Sequence, residues 1–277
     1  MGVGAVYALQ LGSNRLPRGL LERAGLLGSL EPVALSYLAF LLEHPQGWVL
    51  VDTGPGAGWR RSPLGRLAPP ERAPAGSLRE RLAVLGLAPE QLRAVVMTHL
   101  DADHTGGLPE LEQVPVHVCA EQLRYARRPA WRDAALGRFA PEEFEAPRRL
   151  CAFVPDCRER PAGLELGPFR RVHDLFGDGL VWAVELPGHT PGHCGVLVRL
   201  ASGGQLLLCG DAAESRGQLE GLEPGPLTSW AAHDPARMHR TLRGLQALVA
   251  RGLAVLPSHE PELGARAAAA PLRCDRG

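Results

Sequence analysis

The apolar positions of this chain fall into short blocks separated by glycine, proline and polar residues, the pattern of buried strands more than of long helices. SYLAFLL (Ser36 to Leu42) and WVLVDTG (Trp48 to Gly54) read as two strands joined by a turn at HPQG, the second delivering Asp52 near its end. Residues 55–76, rich in Pro, Gly and Arg, read as a long loop, and SLRERLAVLGLAPEQLRA then reads as helix with a glycine break. AVVMTHLDADHTGGL runs an apolar strand, Ala94 to Met97, into a polar cluster in which Asp103 or Thr105 is placed to cap a short helix. PVHVCA reads as strand and EQLRYARR as helix, while 129–163 carries no regular pattern. RRVHDLF, GLVWAVEL, CGVLVRL and QLLLCGD follow as strands, then a helix from about Pro235 to Arg251 and a last strand, LAVLPSHE.

Strands and helices thus occur in two successive sets without a sequence repeat. The expected fold is α/β (α+β), an αββα sandwich of two packed mixed sheets flanked by helices. We read residues 1–277 as one domain with loop insertions near 55–76, 121–162 and 213–232. Asp52, His99, His189, Asp211 and His259 each lie just past the C-terminal end of an expected strand, where open α/β sheets place their ligands.

Composition narrows the chemistry. The 30 basic and 30 acidic residues of the 277 cancel, so no global field draws the protein to nucleic acid or to an anionic membrane surface. There is no lysine, which excludes Schiff-base chemistry and a lysine base. The six cysteines form no C-x-x-C pair in a chain too large to need stapling, so reduced thiols are expected. The opening MGVGAVYALQ has no basic region leading into a long apolar one, and no apolar run has the roughly 20 residues of a membrane span. A cytoplasmic protein is the expectation.

The segment His99-Leu100-Asp101-Ala102-Asp103-His104 puts four potential metal ligands within six residues of a loop. Spacing of i, i+2 lets His99 and Asp101 converge on one ion, and Asp103 and His104 can face a second. Imidazole and carboxylate suit zinc, manganese and iron(II), and a shared carboxylate can bridge two ions. A solvated turn would carry such residues too, but the earlier VDTG and the later PGHTPGH, CGDA and PSHE segments add to the set.

In that order these motifs resemble the metallo-β-lactamase superfamily, whose pattern is a strand ending in Asp, an H-x-H-x-D-H loop, then a later His, Asp and His; the match spans 52 to 259. The resemblance implies that Asp52 orients a ligand histidine without binding metal. His189, Asp211 as bridging carboxylate and His259 complete the ligands. The first ion would see His99, Asp101, His189 and Asp211, the second Asp103, His104, Asp211 and His259. His193 is expected to be structural or near the pocket, where it is, with Glu214, a possible substrate contact. Where the family usually has its second His this chain has Asp101, and the added charge favours harder metals: zinc is expected, with manganese or iron as alternatives. Asp101 turned away, leaving the first site weak, is the other outcome.

The same resemblance implies a dinuclear hydrolase with a metal-bridging hydroxide as nucleophile on an ester or lactone carbonyl, and Asp103 as proton carrier to the leaving group. Length and the T-H-x-x-x-D-H-x-G-G context look most like the N-acyl homoserine lactone lactonases, except that their substrate-contacting Tyr is Glu214 here. A small-molecule substrate is expected, and a homodimer by resemblance only. Trp59, Tyr125, Trp131, Phe139, Phe144, Phe153 and Trp230 in the insertions are placed either to line a pocket or to anchor the loops. Arg124, Arg127, Arg128 and Arg132 read as a solvated basic face, and His44, His117, His173, His233 and His239 as surface or packing residues.

The alternatives within the superfamily are an iron-dependent sulfur dioxygenase and a glutathione thioesterase; only 18 residues follow His259, against the basic C-terminal domain expected of the latter. Nuclease and β-lactamase roles are disfavoured by neutral charge and by the N-terminus. A non-catalytic metal-binding module is the rival outside enzymology.

Overall fold

The computed structural model describes residues 2–23, 30–67, 76–145, 149–158, 163 and 166–275. Its first sheet has seven strands. They are β1 (Val6–Pro17), β2 (Pro32–His44), β3 (Gly47–Val51), β4 (Leu92–Val96), β5 (Val116–Cys119), β6 (Leu150–Phe153) and, at the other end of the chain, β12 (Leu272–Arg273). Their order across the sheet is β12-β1-β2-β3-β4-β5-β6. The second sheet is built from β7 (Val172–Asp174), β8 (Val181–Glu185), β9 (Cys194–Arg199), β10 (Gln205–Gly210) and β11 (Ala254–Pro257), in the order β11-β10-β9-β8-β7. Both sheets are mixed: β3, β4, β5 and β6 run parallel, as do β10 and β11, and the other pairs within the sheets are antiparallel.

Alternation along the strands builds the layers. Val49 and Val51 of β3, with Phe40 and Leu42 of β2, face Val181, Ala183, Val196 and Val198 in a core between the sheets. Leu50 and Leu41 point the other way, against Leu78 and Leu82 of helix α1 (Leu78–Val84). On the far side Trp182, Val184 and Leu207 pack on Leu242, Leu245 and Leu248 of a later 16-residue helix, Pro235–Ala250. With period-2 strands buried on both faces, each sheet needs a helical cover. The result is the αββα sandwich expected.

Several boundaries differ from the sequence reading. Helix α1 opens with a Ser77 and Glu80 capping box and ends at Val84; Leu92 and Arg93 belong to β4. Asp103 and Thr105 do not cap the short 3-10 turn at Leu108–Leu111, because Gly107 precedes it and the Thr105 hydroxyl instead donates to Glu143 Oε2 at 2.7 Å. The 55–76 segment carries two short helices, Ala57–Arg61 and Pro63–Leu67, with 68–75 outside the described residues. The 121–162 segment contains most of helix α2 (Ala120–Arg127), two further short helices and strand β6, with 146–148 and 159–162 outside the described residues. No described helix is long and apolar enough to cross a membrane.

Candidate metal centre

The candidate ligands converge where the C-terminal ends of β4, β10 and β11 meet the loop between β8 and β9. Asp211 is the hub: Oδ2 lies 3.5 Å from His99 Nε2, 3.4 Å from His189 Nε2 and 3.2 Å from His259 Nε2, while Oδ1 lies 3.3 Å from His104 Nε2. Asp101 Oδ2 stands 3.6 Å from His99 Nε2 and 3.1 Å from His189 Nε2, and Asp103 Oδ2 stands 3.8 Å from His259 Nε2. Among the compact donor groups that result are His99 with Asp101 and His189, and Asp103 with His104 and His259; His189, Asp211 and Glu214 form another, as do Asp52, His99 and His104.

The backbone explains the convergence. Asp52 sits at φ +58°, a left-handed conformation that turns the chain sharply off β3. Its neighbour Thr53 then donates from N and Oγ1 to the His104 carbonyl, at 2.8 and 2.7 Å, and Gly106 N donates to the Gly54 carbonyl at 2.7 Å. The two loops are thereby locked together. Gly210, at φ +56°, makes the corresponding turn after β10, where a Cβ would come within 2.7 Å of His193 Nε2.

Hydrogen bonds on the outer side of the rings set the tautomers. Thr98 Oγ1 donates to Asp52 Oδ2 at 2.7 Å, so at 2.9 Å it accepts from His99 Nδ1. His104 Nδ1 donates to Asp52 Oδ2 at 2.9 Å, and His259 Nδ1 to the Ser36 carbonyl at 2.7 Å. Each of the three rings therefore turns Nε2 inward, where loss of its proton would offer a lone pair, the arrangement that metal-ligating histidines use. His99 Nε2, His104 Nε2 and Asp211 Oδ1 are buried without a hydrogen-bonded partner. Orphaned buried acceptors of this kind, in an imidazole and carboxylate set, fit divalent cations.

Charge in the metal-free cluster points the same way. Burial opposes the charge on Asp211, but His259, His104 and His99 outweigh it and hold the carboxyl well below its usual range. Burial likewise opposes protonation of His259, yet Asp211 pushes it up to about 10, and Asp211 and Asp52 hold His104 well above its ordinary value. Ion uptake here must displace protons. Burial, reinforced by Asp211, pushes the Glu214 carboxyl up to about 8.

His193 is fully buried; its Nδ1 donates to the Leu186 carbonyl at 3.0 Å and its Nε2 accepts from Asp211 N at 3.1 Å. Both nitrogens are committed to backbone, so it positions Asp211. Glu214, by contrast, lies on the wall of a cavity of about 270 Å³ that opens onto Asp101, Asp103, His189, Asp211 and His259. Leu16, Leu35, Leu136, Leu227, Trp59 and Trp230 make most of the remaining wall apolar. Of the other loop aromatics, Phe144 and Phe153 anchor the core and Trp131 is exposed. Of the basic cluster, Arg124, Arg127 and Arg128 are exposed, with Arg127 paired to Glu145, while Arg132 is half-buried and lies over the Trp230 ring.

Arg138 is the residue that sequence reasoning missed. Buried beside the first donor group, its guanidinium contacts both oxygens of Asp101, at 2.9 and 2.8 Å, and His189 Nε2, at 2.9 Å. Burial opposes the charge on Asp101, but Arg138 together with His99 and His189 outweighs it and keeps the carboxyl far below the usual range. The available signal was indirect. A carboxylate in place of a histidine calls for a nearby cation, and without lysine it must be an arginine, but nothing local says which.

Residues 33–259 match the family model described as the metallo-beta-lactamase superfamily. The N-acyl homoserine lactonase AttM of Azorhizobium caulinodans is 30% identical over 231 residues, 80% of this chain and 81% of its own length. The probable metallo-hydrolase Rv2300c of Mycobacterium tuberculosis is 30% identical over 246 residues, 83% of this chain and 76% of its own. Among solved structures, an N-acyl homoserine lactone hydrolase with N-hexanoyl-L-homoserine at its catalytic metal centre superposes with a TM-score of 0.72 at 19% identity, covering 96% of this chain and 97% of that one. The dizinc quorum-quenching lactonase AidC gives 0.65 at 14% identity, covering 94% and 90%.

Proposed function

The chain belongs to the metallo-β-lactamase superfamily and is a metal-dependent, lactonase-like hydrolase, and from that premise we propose that it opens lactone rings bearing an apolar acyl chain, the N-acyl homoserine lactones foremost, with two divalent ions, zinc by preference. The observation that carries this reading is the placement of the inward Nε2 and carboxylate donors around Asp211 at the foot of a mostly apolar cavity. His99, Asp101, His189 and Asp211 would hold one ion and Asp103, His104, Asp211 and His259 the other. Such ions supply Lewis-acid polarisation of a carbonyl and water acidified from a pKa of about 15.7 towards about 7.

The protein's own contribution is orientation and proton handling. Asp103, half-buried between His259 and the cavity, would return a proton to the departing ring oxygen. Glu214 stands where a tyrosine contacts substrate in the lactonases that the sequence resembles, and would face the ring. The leucine wall removes the acyl chain from water, at about 0.8 kcal/mol per buried methylene, and leaves the polar ring at the metal end.

The test is hydrolysis of acyl homoserine lactones, aryl esters, organophosphate triesters and a glutathione thioester by zinc-loaded protein. Lactones turned over fastest, with loss of activity in Asp211→Ala, are the expected result. Preference for the thioester, or full activity in Asp211→Ala, would overturn the proposal.

A further inference from the structure

The two donor groups are not equivalent. In the second, His104 Nε2 and Asp211 Oδ1 have no hydrogen-bonded partner, His259 Nε2 meets only Asp211 Oδ2 at 3.2 Å, and among the described residues no guanidinium contacts Asp103 or His259. In the first, His99 Nε2 is likewise without a partner, but the Asp101 oxygens and His189 Nε2 are already engaged. Arg138 Nε lies 2.9 and 2.8 Å from the Asp101 oxygens, and Nη2 lies 2.8 Å from Oδ2 and 2.9 Å from His189 Nε2.

This guanidinium is built in. Nη1 donates to the Ala231 carbonyl at 2.6 Å and faces Asp133 Oδ1 at 3.7 Å; Asp133 is itself held by the Tyr125 hydroxyl at 2.6 Å. Ala102 N donates to the Arg138 carbonyl at 2.9 Å, tying the arginine's backbone to the ligand loop. Arginine keeps its charge and its planar fork of donors, so it cannot yield these lone pairs by losing a proton.

We propose that Arg138 makes the two metal positions unequal: by engaging Asp101 and His189 it competes with the ion at the His99–Asp101–His189 position, which fills last and weakly, while the Asp103–His104–His259 position fills first. The inference rests on the reading that this cluster holds two divalent ions. Arg138 is a positioning residue in it, since it acts through the ligands.

Metal-free protein would be titrated with Zn(II) by calorimetry and with Co(II) by its visible absorption. Two steps separated by at least about tenfold in affinity are expected, since groups around a ligand shift metal affinity about 10–100-fold. Arg138→Met should tighten the second step by about tenfold or more and leave the first unchanged. Asp133→Asn, which loosens the guanidinium and touches no ligand, should move the second step in the same direction and serves if Arg138→Met does not fold. His259→Ala should abolish the tight step and His189→Ala the weak one. Two equal steps in the wild type, or weaker second binding in Arg138→Met, would overturn the inference. Binding of one ion or none, with Arg138→Met no different, would overturn the two-ion reading and this inference with it.

Discussion

Asp52 Oδ2 lies 2.9 Å from His104 Nδ1, and Asp52 is the only non-glycine among the described residues at positive φ. One carboxylate thus fixes a ring that faces the centre, while its own backbone makes the turn that brings the next loop under it. Oδ1 accepts from Thr98 N at 2.8 Å and Oδ2 also accepts from the Thr98 hydroxyl. Asp52→Asn tolerates the left-handed backbone but loses the charge that strengthens His104 as a donor. It should weaken the metal step that depends on His104 by about 10–100-fold, read by competition with a chromophoric chelator, while the far-ultraviolet circular dichroism stays unchanged.

The centre was legible in the sequence because its ligands sit at the ends of short apolar runs, where spacing alone says which side chains leave a strand together. His99 to His104, Asp211 and His259 are of this kind. What escaped was non-local. Strand β1 pairs with β12 from opposite ends of the chain, Tyr7 against Arg273, a register no local pattern encodes. Arg138 meets Asp101 across 37 residues, from a stretch whose periodicity is broken into short helices. A side chain recruited by a charge, not by a hydrophobic period, leaves no periodic trace.

The glycines after His104 are predicted to be intolerant for steric reasons. A Cβ on Gly106 would lie 2.0 Å from Gly56 N and 2.2 Å from Pro55 C, backbone atoms that cannot rotate away. Gly106→Ala should therefore separate the two ligand loops and cost about 3 kcal/mol or more. Chemical denaturation measures this, and a loss under about 1 kcal/mol would mean the loops are less tightly joined than their hydrogen bonds indicate.

The cavity wall should set chain-length preference. Leu136 lines the cavity beside Arg138, so Leu136→Asp places a charge where an acyl chain would lie. KM for long-chain lactones should rise about tenfold, the equivalent of two lost methylene contacts at about 0.8 kcal/mol each, with kcat and short-chain substrates little changed. A uniform loss across chain lengths would locate the acyl chain elsewhere.

Acid sensitivity should come partly from His117 on β5, remote from the metal cluster. Burial, reinforced by Arg93, His173 and Arg149, pushes its pKa from the ordinary 6.5 down to about 4. Between these values the unfolded chain binds the proton and the folded one resists it, so stability is full above about pH 6.5 and falls as pH drops towards 4. The ring is only partly shielded from solvent, which reduces the contribution to about 2 kcal/mol. His117→Gln should flatten the fall of unfolding free energy across that window by this amount. Equal slopes in the two proteins would assign the acid limb to other groups, with the carboxylates around Asp211 the next to test, since their charge too must be neutralised as the fold is lost.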